Sequence, residues 1–229
     1  MRIDADTAVV VCAGPSLDLL TEHAWRDLAA AGAIVGVNGA PAAVACRKVP
    51  FTCLAAMDLE LGLAEAVPNL RTVWRKTPAW RVASADSQRV DAESYVHEVD
   101  EADGVEGWSD DRRQGYKGGS SAMVIGNWLG NEWDEPAAMR NGRTPPRRAF
   151  RKLAYIGLDM HPGRGAHARG AGAHASGFAR SDAQYGNVCR GWSKFCAEAA
   201  KRGIEVVNLS PGTALEAMPR AAVPKAWVR

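Results

Sequence analysis

Three stretches of the 229-residue chain carry side chains that could do chemistry. In "VVVCAGPSLD" (Val9–Asp18) an apolar run stops at Gly14-Pro15-Ser16. Glycine lets a backbone approach a bound group closely, proline fixes a turn, and serine opens a helix whose free N–H groups point back at the same place. That combination suits a phosphate, and it equally makes an ordinary capped strand-to-helix turn; the second and third glycines of a dinucleotide fingerprint are missing. In "KGGSSAM", Lys117, Gly118, Gly119, Ser120 and Ser121 stand where a helix begins. Amides, hydroxyls and one ammonium there could hold a diphosphate or a nucleotide monophosphate, or the small residues could serve close helix packing. Segment His161–Arg180 holds three histidines and three arginines without an acid, on a glycine- and alanine-rich backbone. Histidine near neutrality can accept a proton and arginine can steady a leaving phosphate, so this segment is either a lid or a solvated loop. The spacing of His161, His167 and His174 matches no common zinc pattern, and no metal site is expected there.

Those residues need a frame. Ala8–Cys12 reads as an opening strand, followed by a helix capped by Ser16, with Asp18 in its first turn, Leu17, Leu20, Ala24 and Leu28 at helical spacing, and Gly32 as its stop. Ala33–Asn38 reads as a second strand, "GAPAAVAC" as a short helix and Phe51–Asp58 as a third strand. "LELGLAEAV" reads as a helix, Arg71–Arg75 as a strand and "SYVHEV" as a candidate strand before an acidic, solvated loop from Glu98 to Asp111. A glycine-rich turn then feeds a helix within Gly115–Gly130, and a basic, proline-containing connection runs from Met139 to Lys152. Lys152–Met160 is a strong strand, about Ala183 to Arg202 a helix with Val188, Trp192, Phe195 and Ala199 on one face, and Ile204–Asn208 the last strand. The alternation predicts an α/β class: a single Rossmann-like domain over residues 1–229, its mostly parallel sheet covered by helices on both faces, with a basic linker at 139–152 and a flexible loop at 161–182. Ligands of such sheets collect at the carboxyl ends of the strands, where Gly14–Ser16, Asn38, Asp58 and Asp159 stand.

A formal charge of +2 demands neither nucleic acid nor an anionic membrane. The linker alone carries five arginines and one lysine without an acid, as a solvated face or as a grip on the phosphates of a nucleic-acid acceptor. Trp128 and Trp133 could stack on a base or sugar, but packing is the simpler role, and Trp25 and Trp192 sit on apolar helical faces. Five cysteines, odd in number, free of CxxC pairs and set among apolar neighbours, predict reduced, mostly buried thiols in a cytosolic protein. Asp4 and Asp6 precede a first apolar run too short for a signal peptide, which supports a cytoplasmic location. The uncharged run Leu28–Cys46 is broken by Gly32, Gly36, Asn38, Gly39 and Pro41, and reads as several elements instead of a membrane span.

The order "VVVCAGPSLD", "VNGA", a strand ending in "MD", "GGSSAMVIGNWLG", "AYIGLDM" and "RGIEVVNLSPGT" resembles the DUF115/MptE-like superfamily from Ala8 to Pro219. That superfamily includes the sialyltransferases of glycosyltransferase family 42 and the motility accessory factors of flagellin glycosylation; chain length and the basic linker resemble members carried by phages and prophages. The resemblance implies a Rossmann-like nucleotide-binding fold. In the sialyltransferase branch the donor is CMP-sialic acid and no metal is needed; in the pterin branch diphosphate passes from ATP to a hydroxymethylpterin with magnesium. By position it puts Gly14, Pro15 and Ser16 at the first nucleotide turn, Asn38 near the nucleotide, Ser120 and Ser121 beside the donor, and Asp159 at the end of the strand beneath it. The sialyltransferases follow that acid with two tyrosines that bind the leaving phosphate, where this chain has His161, Arg164 and His167. Their catalytic histidine precedes the last long helix, where His174 and His167 are the nearest candidates.

The leading expectation is therefore a glycosyltransferase that moves a sugar from a CMP- or UDP-linked donor to an acceptor, phage DNA among the candidates. Gly14–Ser16, Lys117 and Gly118–Ser121 would bind the donor, with Asn38 and Asp159 orienting its ribose or base. His161 or Arg164 would stabilise the leaving group, and His167 or His174 would be the base. A rival is an MptE-like diphosphotransferase in which Asp58 and Asp159 hold magnesium between ATP phosphates. A third reading is a non-catalytic phage protein, nucleotide-sensing or assembly-related, that kept the fold and lost the chemistry.

Overall fold

Thr7–Val11 (β1), Ala33–Val37 (β2) and Cys53–Ala56 (β3) are buried at every position. A strand covered on both faces has no polar face, which is why these segments, Thr7 at the start of β1 apart, show no alternation of apolar and polar residues. Trp80–Ser84 (β4), Ser94–Val99 (β5), Gln114–Tyr116 (β6), Lys152–Ile156 (β7) and Glu205–Asn208 (β8) join them. The order across the sheet is β6-β5-β4-β3-β2-β1-β7-β8, and every neighbouring pair is parallel. This computed structural model describes residues 2–57, 70–84, 92–99, 114–116, 121–131, 143–147, 149–160 and 182–229.

The α-helices among the described residues are Glu22–Leu28 (α1), Ala40–Ala43 (α2), Leu70–Lys76 (α3), Ser121–Gly130 (α4) and Asp182–Lys201 (α5). Alternate strand residues divide the core between two layers. Val10, Val35, Ala55, Val82 and Tyr155 cluster with α4 and α5, while Val9, Val11, Ile34, Leu54 and Ile156 cluster with α1, Ala40 of α2 and Trp74 of α3. The chain is thus an α/β fold with a parallel sheet covered on both faces. α4 is buried from Ala122 to Leu129, as a helix apolar all round must be. α5 buries Val188, Trp192, Phe195 and Ala199, the face its spacing predicts, and Trp192 stands edge-on to Tyr155 and Phe195 at 5.1 and 5.5 Å between ring centroids. Trp25 and Trp128 are core residues as well.

Three local expectations change. The helix expected from Ser16 to Leu28 is divided: Pro15–Leu19 is a 3₁₀ turn, and α1 starts at Glu22 behind Thr21, whose Oγ1 accepts from the Ala24 amide at 3.4 Å. The break falls where the chain bonds a late segment: the Thr21 amide donates to the Trp227 carbonyl and the Arg229 amide to Leu19. Gly32 is not the left-handed stop of a helix; its amide donates to the Asp4 and Thr7 carbonyls at the entry to β1. Arg71–Arg75 lies in α3, not a strand, because Leu70, Val73 and Trp74 follow the i, i+3, i+4 spacing of a helical face. The helix expected at "LELGLAEAV" and most of the acidic loop fall outside the described residues.

The described part of the basic linker faces the amino ends of the strands. Arg143 pairs with Glu93, whose side chain is 4% exposed, Arg147 with Asp6 at 2.8 Å and Lys152 with Asp4 at 2.8 Å. These cations answer carboxylates at the sheet edge opposite the one where ligands of parallel sheets collect. The run Leu28–Cys46 divides into the end of α1, β2 and α2 with its following turn, and no helix among the described residues is long and apolar enough to cross a membrane.

Cys12 and Cys53 are buried, Cys189 and Cys196 half-buried, and Cys46 exposed. Burial pushes the Cys12 and Cys196 thiols up, and only the thiolate is reactive. A disulfide reagent such as DTNB should therefore modify Cys46 quickly in the native protein and all five thiols only after denaturation. Fast native reaction at Cys12 would contradict this packing.

Candidate functional site

From β1 the chain works outward through β2 to β6, then returns to lay β7 on the other side of β1. Connections leave in opposite directions at that point, the topological switch at which open parallel sheets have their crevice, beyond the carboxyl ends of two strands, here β1 and β7. Past the last register pair, Val11 and Ile156, the two chains stay laced: the Cys12 amide donates to the Ile156 carbonyl at 2.7 Å and the Gly14 amide to Gly157 at 2.8 Å. The Ser16 amide then donates to Asp159 Oδ2 at 2.8 Å, and the Leu17 amide to the Gly14 carbonyl at 3.2 Å. Pro15 has no N–H. Every amide from Gly14 to Leu17 thus has an acceptor within the chain, which corrects the expectation that this turn presents free N–H groups. The cap is not Ser16 but the carboxylate of Asp159, 143 positions later, placed where the positive end of the turn favours an anion.

Asp159 is only 4% exposed. Ser16 Oγ is buried and has no hydrogen-bond partner among the described residues. Gly14 has to be glycine here, since a Cβ on it would collide with the Asp159 carboxylate and the Gly157 carbonyl. Two non-glycine residues at the crevice adopt left-handed backbone, Asn38 at φ +50° and Met160 at φ +47°, a conformation that surrounding contacts have to hold in place.

On the next strand, Asn38 ties three elements together. Its amide donates to the Ala55 carbonyl at 2.8 Å, its Oδ1 accepts from the Met57 amide at 2.9 Å, and its Nδ2 donates to Ser121 Oγ at 3.1 Å. β1 and β2 are paired neighbours, about 4.8 Å apart as strands are, so this cluster and the Gly14–Asp159 cluster share one edge of the sheet. The fold therefore gathers Gly14, Pro15, Ser16, Asn38, Ser121 and Asp159. Asp58, Lys117, Gly118, Gly119, Ser120, His161, Arg164, His167 and His174 lie outside the described residues.

Asn208, Ser210 and Thr213, to which the sequence assigns no site role, are buried and hydrogen-bond to the Leu158–Asp159 segment. Their signal was a row of short polar residues, "NLSPGT", directly after an apolar strand.

No protein-family model matches this chain, and no curated protein matches it in sequence. Among solved structures, the fold is similar to that of a MAf glycosyltransferase from Magnetospirillum magneticum AMB-1, with a TM-score of 0.52 and 12% identity. The match covers 97% of this chain and 34% of the other, so this chain spans about a third of that protein's length.

Proposed function

We propose that this chain is a nucleotide-dependent transferase domain that moves a sugar from a CMP- or UDP-linked donor. The observation that carries the reading is the joining of Gly14–Ser16 to Asp159 across the β1/β7 crevice, with the Asn38–Ser121 pair on the neighbouring strand. Likeness of fold to a glycosyltransferase supports the reaction class.

Because the amides of the first turn are satisfied internally, the donor phosphates fall to Lys117, Gly118, Gly119, Ser120 and Ser121 and to the basic residues after Asp159. The nucleoside meets the Ser16 hydroxyl, Asn38 and the Asp159 side. His161 or Arg164 offsets charge on the leaving phosphate, and His174 or His167 takes the acceptor hydroxyl's proton.

A thermal-shift series with CMP, UDP, GDP and ATP, each with and without magnesium, tests this. CMP or UDP should raise the melting temperature without magnesium, by on the order of 5–10 °C at a hundredfold excess over Kd. Ser16→Ala should remove most of that shift, and His174→Ala should keep it while stopping turnover. A shift with ATP that requires magnesium would replace this reading with diphosphate transfer, and no shift with any nucleotide would end it.

A further inference from the structure

Three side chains, from Asn208 at the end of β8 and from Ser210 and Thr213 after it, hold the two residues that aim the switch-point carboxylate. Asn208 Nδ2 donates to the Leu158 carbonyl at 2.9 Å and to Thr213 Oγ1 at 3.1 Å, while its Oδ1 accepts from the Ser210 amide at 2.9 Å. Ser210 Oγ accepts from the Leu158 amide at 2.8 Å. Thr213 Oγ1 lies 2.8 Å from the Leu158 carbonyl and 3.2 Å from the Asp159 carbonyl, and accepts from the Leu215 amide at 3.2 Å. The Ala214 amide completes the Asp159 carbonyl at 2.9 Å. None of the three side chains is more than 5% exposed.

A buried backbone group needs a partner, and one each would suffice. Here Leu158 N, Leu158 O and Asp159 O are all held, the two carbonyls from more than one side, by the last residue of β8 and the segment that follows it. Fixing the peptides around Asp159 fixes the direction in which its side chain leaves the backbone. At the far end of that side chain the carboxylate must meet the Ser16 amide in the narrow space beside Gly14.

We infer that Thr213 is a positioning residue for Asp159: its hydroxyl, touching both carbonyls that bracket the Asp159 backbone, sets the carboxylate against Ser16 and so sets the shape of the crevice. Asn208 and Ser210 share that task. The inference deepens the nucleotide reading by naming what holds its site in shape, and its first readout needs no nucleotide.

Amide hydrogen exchange on the full chain tests it. Thr213→Val removes the hydroxyl at nearly constant volume, and Thr213→Ser keeps it. In the valine variant exchange at the Ser16 amide should rise about tenfold while Val9 and Val10 keep their protection, and serine should restore the wild-type rate. The CMP or UDP thermal shift should fall and recover in the same order. If the valine variant does not fold, Ser210→Ala, which takes the acceptor from the Leu158 amide, gives the same comparison. Unchanged Ser16 exchange, a rise shared equally by Val9 and Val10, or a serine variant that behaves like valine would overturn the assignment. A Ser16 response in a protein that binds no nucleotide would uphold it and remove the nucleotide reading instead.

Discussion

Replacing Gly14 with alanine should destabilise the protein by about 2–3 kcal/mol, lower its melting temperature by on the order of 5–10 °C and abolish any nucleotide-induced shift. The added methyl would collide with the Gly157 carbonyl and the Asp159 carboxylate, and neither is a loose end. The Gly157 carbonyl is pinned by the Gly14 amide itself, in a lacing continuous with the β1–β7 ladder. The Asp159 carboxylate could retreat only by giving up the Ser16 amide, leaving a buried charge short of a donor. Urea unfolding together with exchange at the Ser16 amide measures both parts. Wild-type stability with intact Ser16 protection would show that the turn has room that this geometry denies it.

The second large effect is a coupled one in the opposite layer. Gly126→Ala should cost about 2–3 kcal/mol, because its methyl would collide with the Tyr155 hydroxyl and come within 2.9 Å of Phe195 Cζ. Tyr155 cannot move aside: it is fully buried, with Trp192 edge-on against its ring. Its hydroxyl has no hydrogen-bond partner among the described residues, and burial holds the phenol well above its ordinary value, so it stays neutral. Tyr155→Phe alone should therefore be close to neutral, since no hydrogen bond is lost. Combined with Gly126→Ala it should return more than half of the lost stability, a coupling of about 1–2 kcal/mol in a double-mutant cycle. Strict additivity would mean that α4 and β7 do not meet at this point.

What could be read from the residues in order was local. A strand buried on both sides has no polar face, so the apolar runs Val9–Val11 and Ile34–Val35 announced themselves, and the ends of those runs marked Gly14–Ser16 and Asn38. The face Val188–Trp192–Phe195–Ala199 followed from helical spacing, and it is the face the sheet covers. Arg71–Arg75 reads as a strand because valine and tryptophan suit one, yet it is helical, with Trp74 buried in the core layer it shares with Val9 and Leu54. Other features depend on partners far along the chain. The division of the first helix at Leu20–Thr21 follows contacts with Ala226, Trp227 and Arg229, and the buried state of Asn208, Ser210 and Thr213 follows their seat under Leu158. The strand ends that carry the candidate site were thus visible, but the hydrogen bonds made there were not. Whether an N–H in a turn is open to a ligand depends on what the fold brings opposite it, and at Ser16 the fold brings the carboxylate of Asp159.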